Sequence, residues 1–373
     1  MKLPNIAIKF LQIGSVVLAS LSCYTIFTDI SRADINTIAQ KLPSPPVPQI
    51  PNPPLSNPES IWQRVRIVHN IKAHWGPIYA LTFSPDGKYL ASGGTDIDTK
   101  IRLWNPIKGN KLRTINAHSN RVLALAITPD NLTIASGSED STLKIWSLKN
   151  GKLSRMLTHE FNNILSLAIT PDGQTLVTGG LDGIKLIDLK TERLLYNRVP
   201  LAQPIVYAVA ISRNGQILAT GGRDRTIQLW NIQTSQFLGT IPGHQGAITS
   251  LAFSPDGNTL VSSSYDHTVK VWNLATRRSF TLVGHQNIVN SVAVHPDGRT
   301  VVSAGRDGVR IWDLGTGQQV RSLAIDTDWV QTVAFSPDGN LLATGAFDGK
   351  LKIWEGINKD IPVELGQKKQ GGN

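Results

Sequence analysis

The chain has one cysteine in 373 residues, Cys23, so it can form no disulfide within itself, and disulfides say nothing about its compartment. It also has no serine at a strand-to-helix elbow, no phosphate-cradling glycine loop and no His/Cys/carboxylate cluster at metal-ligand spacing, so the common hydrolase, nucleotide and metal-centre signatures are missing. No catalytic residue, cofactor or metal is therefore expected. Charged residues make up only 17% of the chain and apolar ones 40%, the balance of a globular protein with a large core. The charges are uneven in sign: 37 Lys and Arg against 27 Asp and Glu, a net +10. Such a surface attracts anionic lipid, nucleic acid or acidic partners at long range, in a salt-dependent way.

Three zones follow one another. Residues 10–27 carry no charge and follow Lys2 and Lys9. Eighteen helical residues span about 27 Å, near the roughly 30 Å of a bilayer core. An uncleaved anchor fits that length, while a signal peptide cut near Ser31-Arg32-Ala33 is the competing reading. A lipidated Cys23 fits less well, because Ser20 stands where such signals carry an apolar residue. Residues 1–33 are thus a signal or membrane anchor, with the later zones on the translocated side. Residues 34–61 form a linker, in which 43–58 hold eight prolines and favour a semi-rigid polyproline II stalk. Residues 62–356 are repetitive, and 357–373 form a tail.

The repeat is carried by a tetrad. Ser84-Pro85-Asp86-Gly87, Thr128-Pro129-Asp130-Asn131 and Thr170-Pro171-Asp172-Gly173 recur at Ser212-Arg213-Asn214-Gly215. The pattern returns at Ser254-Pro255-Asp256-Gly257, His295-Pro296-Asp297-Gly298 and Ser336-Pro337-Asp338-Gly339. Successive copies lie 44, 42, 42, 42, 41 and 41 residues apart, the period of a four-stranded propeller blade. Alternating apolar runs flank each tetrad, and a third run ends at a tryptophan, as in Leu143-Lys144-Ile145-Trp146. The expected fold is all-β, a seven-bladed propeller of four-stranded blades, preceded by the apolar helix and the proline-rich linker. Val68 and Ile71 match the outer-strand pairs Leu112 and Ile115, Leu153 and Met156, and Leu238 and Ile241. The strand around 64–71 is therefore expected to complete the seventh blade and close the ring.

With Gly243-His244, Gly284-His285 and Trp312-Asp313 in phase with these tetrads, the chain resembles the WD-repeat family over about five sixths of its length. The resemblance implies a hydrogen-bonded network in each blade, joining a loop His, a second-strand Ser or Thr, a turn Asp and the Trp. Complete sets are His118, Ser136, Asp140, Trp146; His244, Ser262, Asp266, Trp272; and His285, Ser303, Asp307, Trp312. Blade one offers His74, Ser92, Trp104 and either Asp96 or Asp98, its turn being two residues longer. Blade three has His159, Thr178 and Asp182 with Ile187 in place of Trp; blades four and seven lack the His but keep Thr220, Asp224, Trp230 and Thr344, Asp348, Trp354. A Ser/His/Asp trio repeated around a ring satisfies buried polar groups rather than building a nucleophile.

The resemblance also implies a partner-binding face at the blade starts and a monomeric, non-catalytic scaffold for a protein or peptide. Register places Tyr79, Arg121, Asn163, Tyr207, Arg223, Tyr265, Asn290, Arg306, Trp329 and Phe347 there. Arginines among aromatics suit an acidic or aromatic-containing segment. A propeller enzyme, or a basic binder of nucleic acid or anionic surfaces, is the alternative. No basic cluster interleaved with aromatics supports nucleic acid.

Overall fold

Alternating apolar positions and tight turns every ten residues or so leave this chain one way to bury its strands, as stacked antiparallel sheets. A computed structural model describes residues 61–95, 97–157, 162–198, 205–323 and 329–357. Among them, 28 strands sort into seven antiparallel sheets of four. The stretches 10–27 and 43–58, Asp96, His159 and the tail from 358 lie outside the described residues. Within the described residues no helix is long and apolar enough to cross a membrane.

Six blades run inner to outer in chain order, as in blade one: β2 (Ala80–Phe83), β3 (Leu90–Gly93), β4 (Lys100–Trp104) and β5 (Lys111–Asn116). The tetrads make the hairpins between first and second strands. Ser84 Oγ donates to Asp86 Oδ1 at 2.7 Å, and Gly87 takes a φ of 71° that an L side chain resists. Asn131 holds the same place at a φ of 60°, which asparagine tolerates best after glycine. Seven buried clusters hold the ring, one at each seam between neighbouring blades. At the first seam Ile101 and Leu103 of blade one meet Val122, Ile134 and Trp146 of blade two.

The seventh blade is built from both ends of the described chain. Strand β1 (Val65–Lys72) pairs antiparallel with β28 (Lys350–Gly356), from Val65 opposite Gly356 to Lys72 opposite Lys350. That is the closing strand read from Val68 and Ile71, and both side chains pack at the seam of blades seven and one. One feature goes beyond the repeat pattern. Ile61–Gln63 forms a 3-10 turn whose Trp62 is fully buried, with ring centroids 5.1 Å from Phe335 and 6.1 Å from His295. Arg321 Nη1 donates to Gln63 O at 2.7 Å, and Ile357 N–H donates to Arg64 O at 2.8 Å. Ile61 and Ile357, one place outside the expected limits, therefore take part in the fold.

Six inner strands carry a register shift between their first and third residues, as at Val206/Ala208 and Val289/Ser291. A bulge re-aims the residue it skips. The skipped residues Leu123, Leu165, Tyr207, Thr249, Asn290 and Gln331, with Tyr79 of blade one, line a central channel of about 180 Å³.

Candidate binding rim and the networks beneath it

Below the blade-start loops, the complete networks have one geometry. In blade two Trp146 Nε1–H donates to Ser136 Oγ at 2.8 Å, which leaves the serine hydroxyl to donate to His118 Nε2 at 2.7 Å. The imidazole proton then sits on Nδ1, 3.0 Å from Asp140 Oδ2. Asp140 also accepts from the Ser119 and Thr142 N–H groups, each at 3.0 Å, so one carboxylate ties the loop to the turn. Blades five and six repeat it: Ser262 and Ser303 each lie 2.7 Å from Nε2 of His244 and His285, whose Nδ1 atoms are 2.9 and 2.6 Å from Asp266 and Asp307. The three serines are fully buried, so no substrate reaches them in this arrangement.

Burial pushes His118 and His285 below the usual imidazole value, and their Asp partners only partly offset it. Burial alone would raise the carboxylates, but the Thr142 hydroxyl, the Ser119 N–H and His118 outweigh it and hold Asp140 at about 2. The Gln286 N–H, His285 and Arg310 hold Asp307 at about 2. Each pair is thus a neutral imidazole donating to a carboxylate.

In blade one the longer turn brings Asp98 to the network, while Asp96 lies outside the described residues. Arg102 enters between the members: its Nη1 donates to Asp98 Oδ2 at 2.6 Å and reaches His74 Nδ1 at 2.7 Å. His74 Nε2 meets Ser92 Oγ at 2.8 Å, and Trp104 Nε1–H donates to the same oxygen at 2.9 Å. Blades four and seven keep the Trp bonds, Trp230 to Thr220 at 3.3 Å and Trp354 to Thr344 at 3.1 Å. Asp224 accepts from Gln228 and Asp348 pairs with Lys350. In blade three Thr178 and Ile187 are buried, and Lys185 pairs with Asp182.

These contacts reveal a member that the sequence reading had passed over. Two places before the Trp position stand Arg102, Lys144, Lys185, Gln228, Lys270, Arg310 and Lys352. Four of them bond to the turn Asp of their own blade, and Lys144 instead donates to Ala117 O at 2.7 Å. The signal was a long polar donor recurring in phase at a position flanked by apolar residues.

On the rim, the expected contact residues divide. Tyr207 and Tyr265 are neighbours at 6.4 Å, Arg306 lies 3.8 Å over the Trp329 ring, and Trp329 meets Phe347 edge-on at 5.1 Å. Burial raises the Tyr265 hydroxyl pKa, with Tyr207 adding to that effect and Arg306 opposing it. Two clusters result, one of Tyr207 and Tyr265 in blades four and five and one of Arg306, Trp329 and Phe347 in blades six and seven, and Arg223 of blade four is exposed. Arg121 stacks on Tyr79 at 5.9 Å across the ring but is paired with Glu139 at 3.4 Å. Asn290 and Asn163 play other parts. Asn290 Nδ2 donates to Val330 O of the next blade at 2.9 Å, and Asn163, at a φ of 43°, donates its N–H to Ser141 Oγ. Two exposed side chains of blade one, Trp75 and Ile97, also stand beside its network loops and were not anticipated, because neither falls at a register contact position. Among the described residues no group of three or more His, Cys, Asp and Glu side chains could hold a metal.

The family model described as "WD domain, G-beta repeat" matches seven times, at residues 65–105, 109–147, 151–184, 201–231, 235–273, 276–313 and 317–355. The chain is 31% identical over 79 residues to COMPASS component SWD3 of Saccharomyces cerevisiae, covering 21% of this chain and 24% of that one. It is 39% identical over 62 residues to WD repeat domain-containing protein 83 of Homo sapiens, covering 17% and 19%. Coronin-7 of Mus musculus is 39% identical over 64 residues, 17% of this chain and 7% of its own. The chain thus spans a quarter or less of each of these relatives. With seven matched repeats in register with seven blades, the chain belongs to the WD-repeat family.

Proposed function

We propose that this propeller is a non-catalytic scaffold that binds a protein or peptide on its blade-start rim, through the clusters formed by Tyr207 and Tyr265 and by Arg306, Trp329 and Phe347. The observation that carries the reading is the stack of Arg306 on Trp329 at 3.8 Å, which presents a guanidinium on an aromatic floor. Such anchors dominate binding energy at interfaces, and an arginine held in plane is ready to donate to a carboxylate. Family membership supports a protein partner, since WD-repeat propellers commonly mediate protein–protein contacts, and a component of the COMPASS complex is among the relatives.

In an affinity capture with the intact chain, Trp329→Ala with Arg306→Ala is expected to weaken the specifically retained partner about thirtyfold or more while melting stays as in the wild type. Lys88→Ala with Asn258→Ala, beside turns at the opposite ends of the strands, should change little. Retention lost only with the second pair would assign the interface to the other face. The basic net charge is expected to act on salt-sensitive association rather than on selectivity.

The uncharged run 10–27 behind Lys2 and Lys9 supports a membrane-anchored or exported protein, with the propeller on the translocated side. Protease added to right-side-out vesicles should cleave the propeller; full protection would contradict that side.

A further inference from the structure

A repeat protein carries its own controls, because a residue that six blades do without is not required by the blade. Three departures from the repeat converge on one place. Opposite the third-strand Trp, the outer strand of blade one bears Lys111; the matching residues are Leu153, Leu194, Phe237, Ser279, Gln319 and Ile67. Two places before the loop His stands Lys72, where Asn116, Pro242 and Val283 precede His118, His244 and His285. Immediately after the loop His stands Trp75, 77% exposed, where those blades have Ser119, Gln245 and Gln286.

Lys72, Trp75 and Lys111, with His74, Arg102 and Trp104 behind them, line a cleft of about 310 Å³ at the seam of blades seven and one. No carboxylate is among its lining residues. Blade six shows how the same ground is closed elsewhere: Arg310 Nη1 donates to Gln319 Oε1 at 2.8 Å. In blade one Arg102 bonds its turn Asp98 as Arg310 bonds Asp307, but the residue at the Gln319 position is Lys111, which cannot accept. Lys72 spends one N–H on Asp348 O and keeps two. The cleft therefore has ammonium donors and, among its own lining residues, no carboxylate, beside an exposed indole.

We propose that this seam is a second binding site, independent of the rim, for a small aromatic oxyanion. Its phosphate or carboxylate group is held by Lys72 and Lys111, and its ring lies against Trp75. The cleft volume is at the low end of the range of small-molecule pockets. Arg102 lends the site no net charge because Asp98 neutralises it, and Asp348, already paired with Lys350, offsets part of the Lys72 charge, so recognition rests on Lys111 first and Lys72 second.

The test uses the full-length chain in detergent, titrated calorimetrically with phenyl phosphate, benzoate, inorganic phosphate and benzyl alcohol. The variants are taken from the protein's own repeats: Lys111→Gln from blade six, and Lys72→Asn and Trp75→Ser from the segment that leads into blade two. Saturable binding of phenyl phosphate or benzoate is expected, weakened about tenfold by each lysine change with melting unaltered. Stronger binding of one of these two identifies which oxyanion the site takes. Trp75→Ser should remove the preference for phenyl phosphate over inorganic phosphate. No saturable binding of either aromatic anion below about 10 mM, benzyl alcohol binding as well as the anions, or undiminished affinity in Lys111→Gln would overturn the proposal.

Discussion

A chain that starts at residue 73 is expected to lose the cooperative melting transition that a chain starting at residue 59 retains. Without β1 the ladder from Val65–Gly356 to Lys72–Lys350 is gone, and β28 becomes an open edge of the ring. Val68 and Ile71 leave the core at the seam of blades seven and one, and Trp62 leaves a site where it is fully buried against Phe335 and His295. The Trp62 contribution can be measured alone. Trp62→Ala in the full chain should cost about 3–5 kcal/mol, the range for truncating a buried aromatic ring. Calorimetry on the two truncations and the point variant checks both parts. Equal melting temperatures for the two truncations would show that the ring does not depend on this strand.

The second large effect is expected in the network of blade one. Asp98→Ala removes the carboxylate from Arg102, whose side chain is only 11% exposed, and should cost about 3–5 kcal/mol, as for breaking a buried ion pair. Asp140→Ala strands neutral donors only and should cost roughly 1–3 kcal/mol. Adding Arg102→Leu to Asp98→Ala should recover most of the first loss, because the stranded charge is then gone. A double variant as unstable as the single one would mean that the cost lies in the turn and not in the charge.

Acid should weaken both blades in two stages. Burial lowers His74 and His118 in the fold, so the unfolded chain binds protons first, from about pH 6.5 downward, and stability falls. Asp140 is held at about 2 against an ordinary 3.8, so its contribution is full above 3.8 and is lost as pH falls through about 2. Melting temperature should therefore decline from pH 7 to pH 3, and Asp140→Ala should flatten the part below pH 4.

The blades and the closing strand could be read from residues alone because each tetrad repeats in phase, and a misplaced strand would have broken seven registers at once. Trp62 could not be read that way. Its partners His295 and Phe335 lie more than 200 positions away, and it belongs to no repeat. The choice between Asp96 and Asp98 was open because two extra residues leave the turn register free; the ion pair with Arg102 identifies Asp98 as the network member. The recurring long polar donor before the Trp was visible as a pattern, but its purpose appears only when the third strand is laid beside the turn Asp. On the rim, register placed Tyr207 and Asn290 at matching positions, and both lie at bulges facing the channel. Only the neighbouring blade decides that one meets an aromatic ring and the other bonds a backbone carbonyl.

The 3-10 turn at Ile61–Gln63 also has a mechanical meaning. Tension applied along the chain from the side of the proline-rich stretch meets this turn before it meets the closing ladder. Trp62 in its pocket, Arg321 on Gln63 O and Ile357 on Arg64 O share the first load. Only after that clasp has yielded would the bonds between β1 and β28 bear force, pair by pair from Val65 onward. A ring sealed by one strand is weakest against peeling at the end of that strand, and here that end is the one that is clasped.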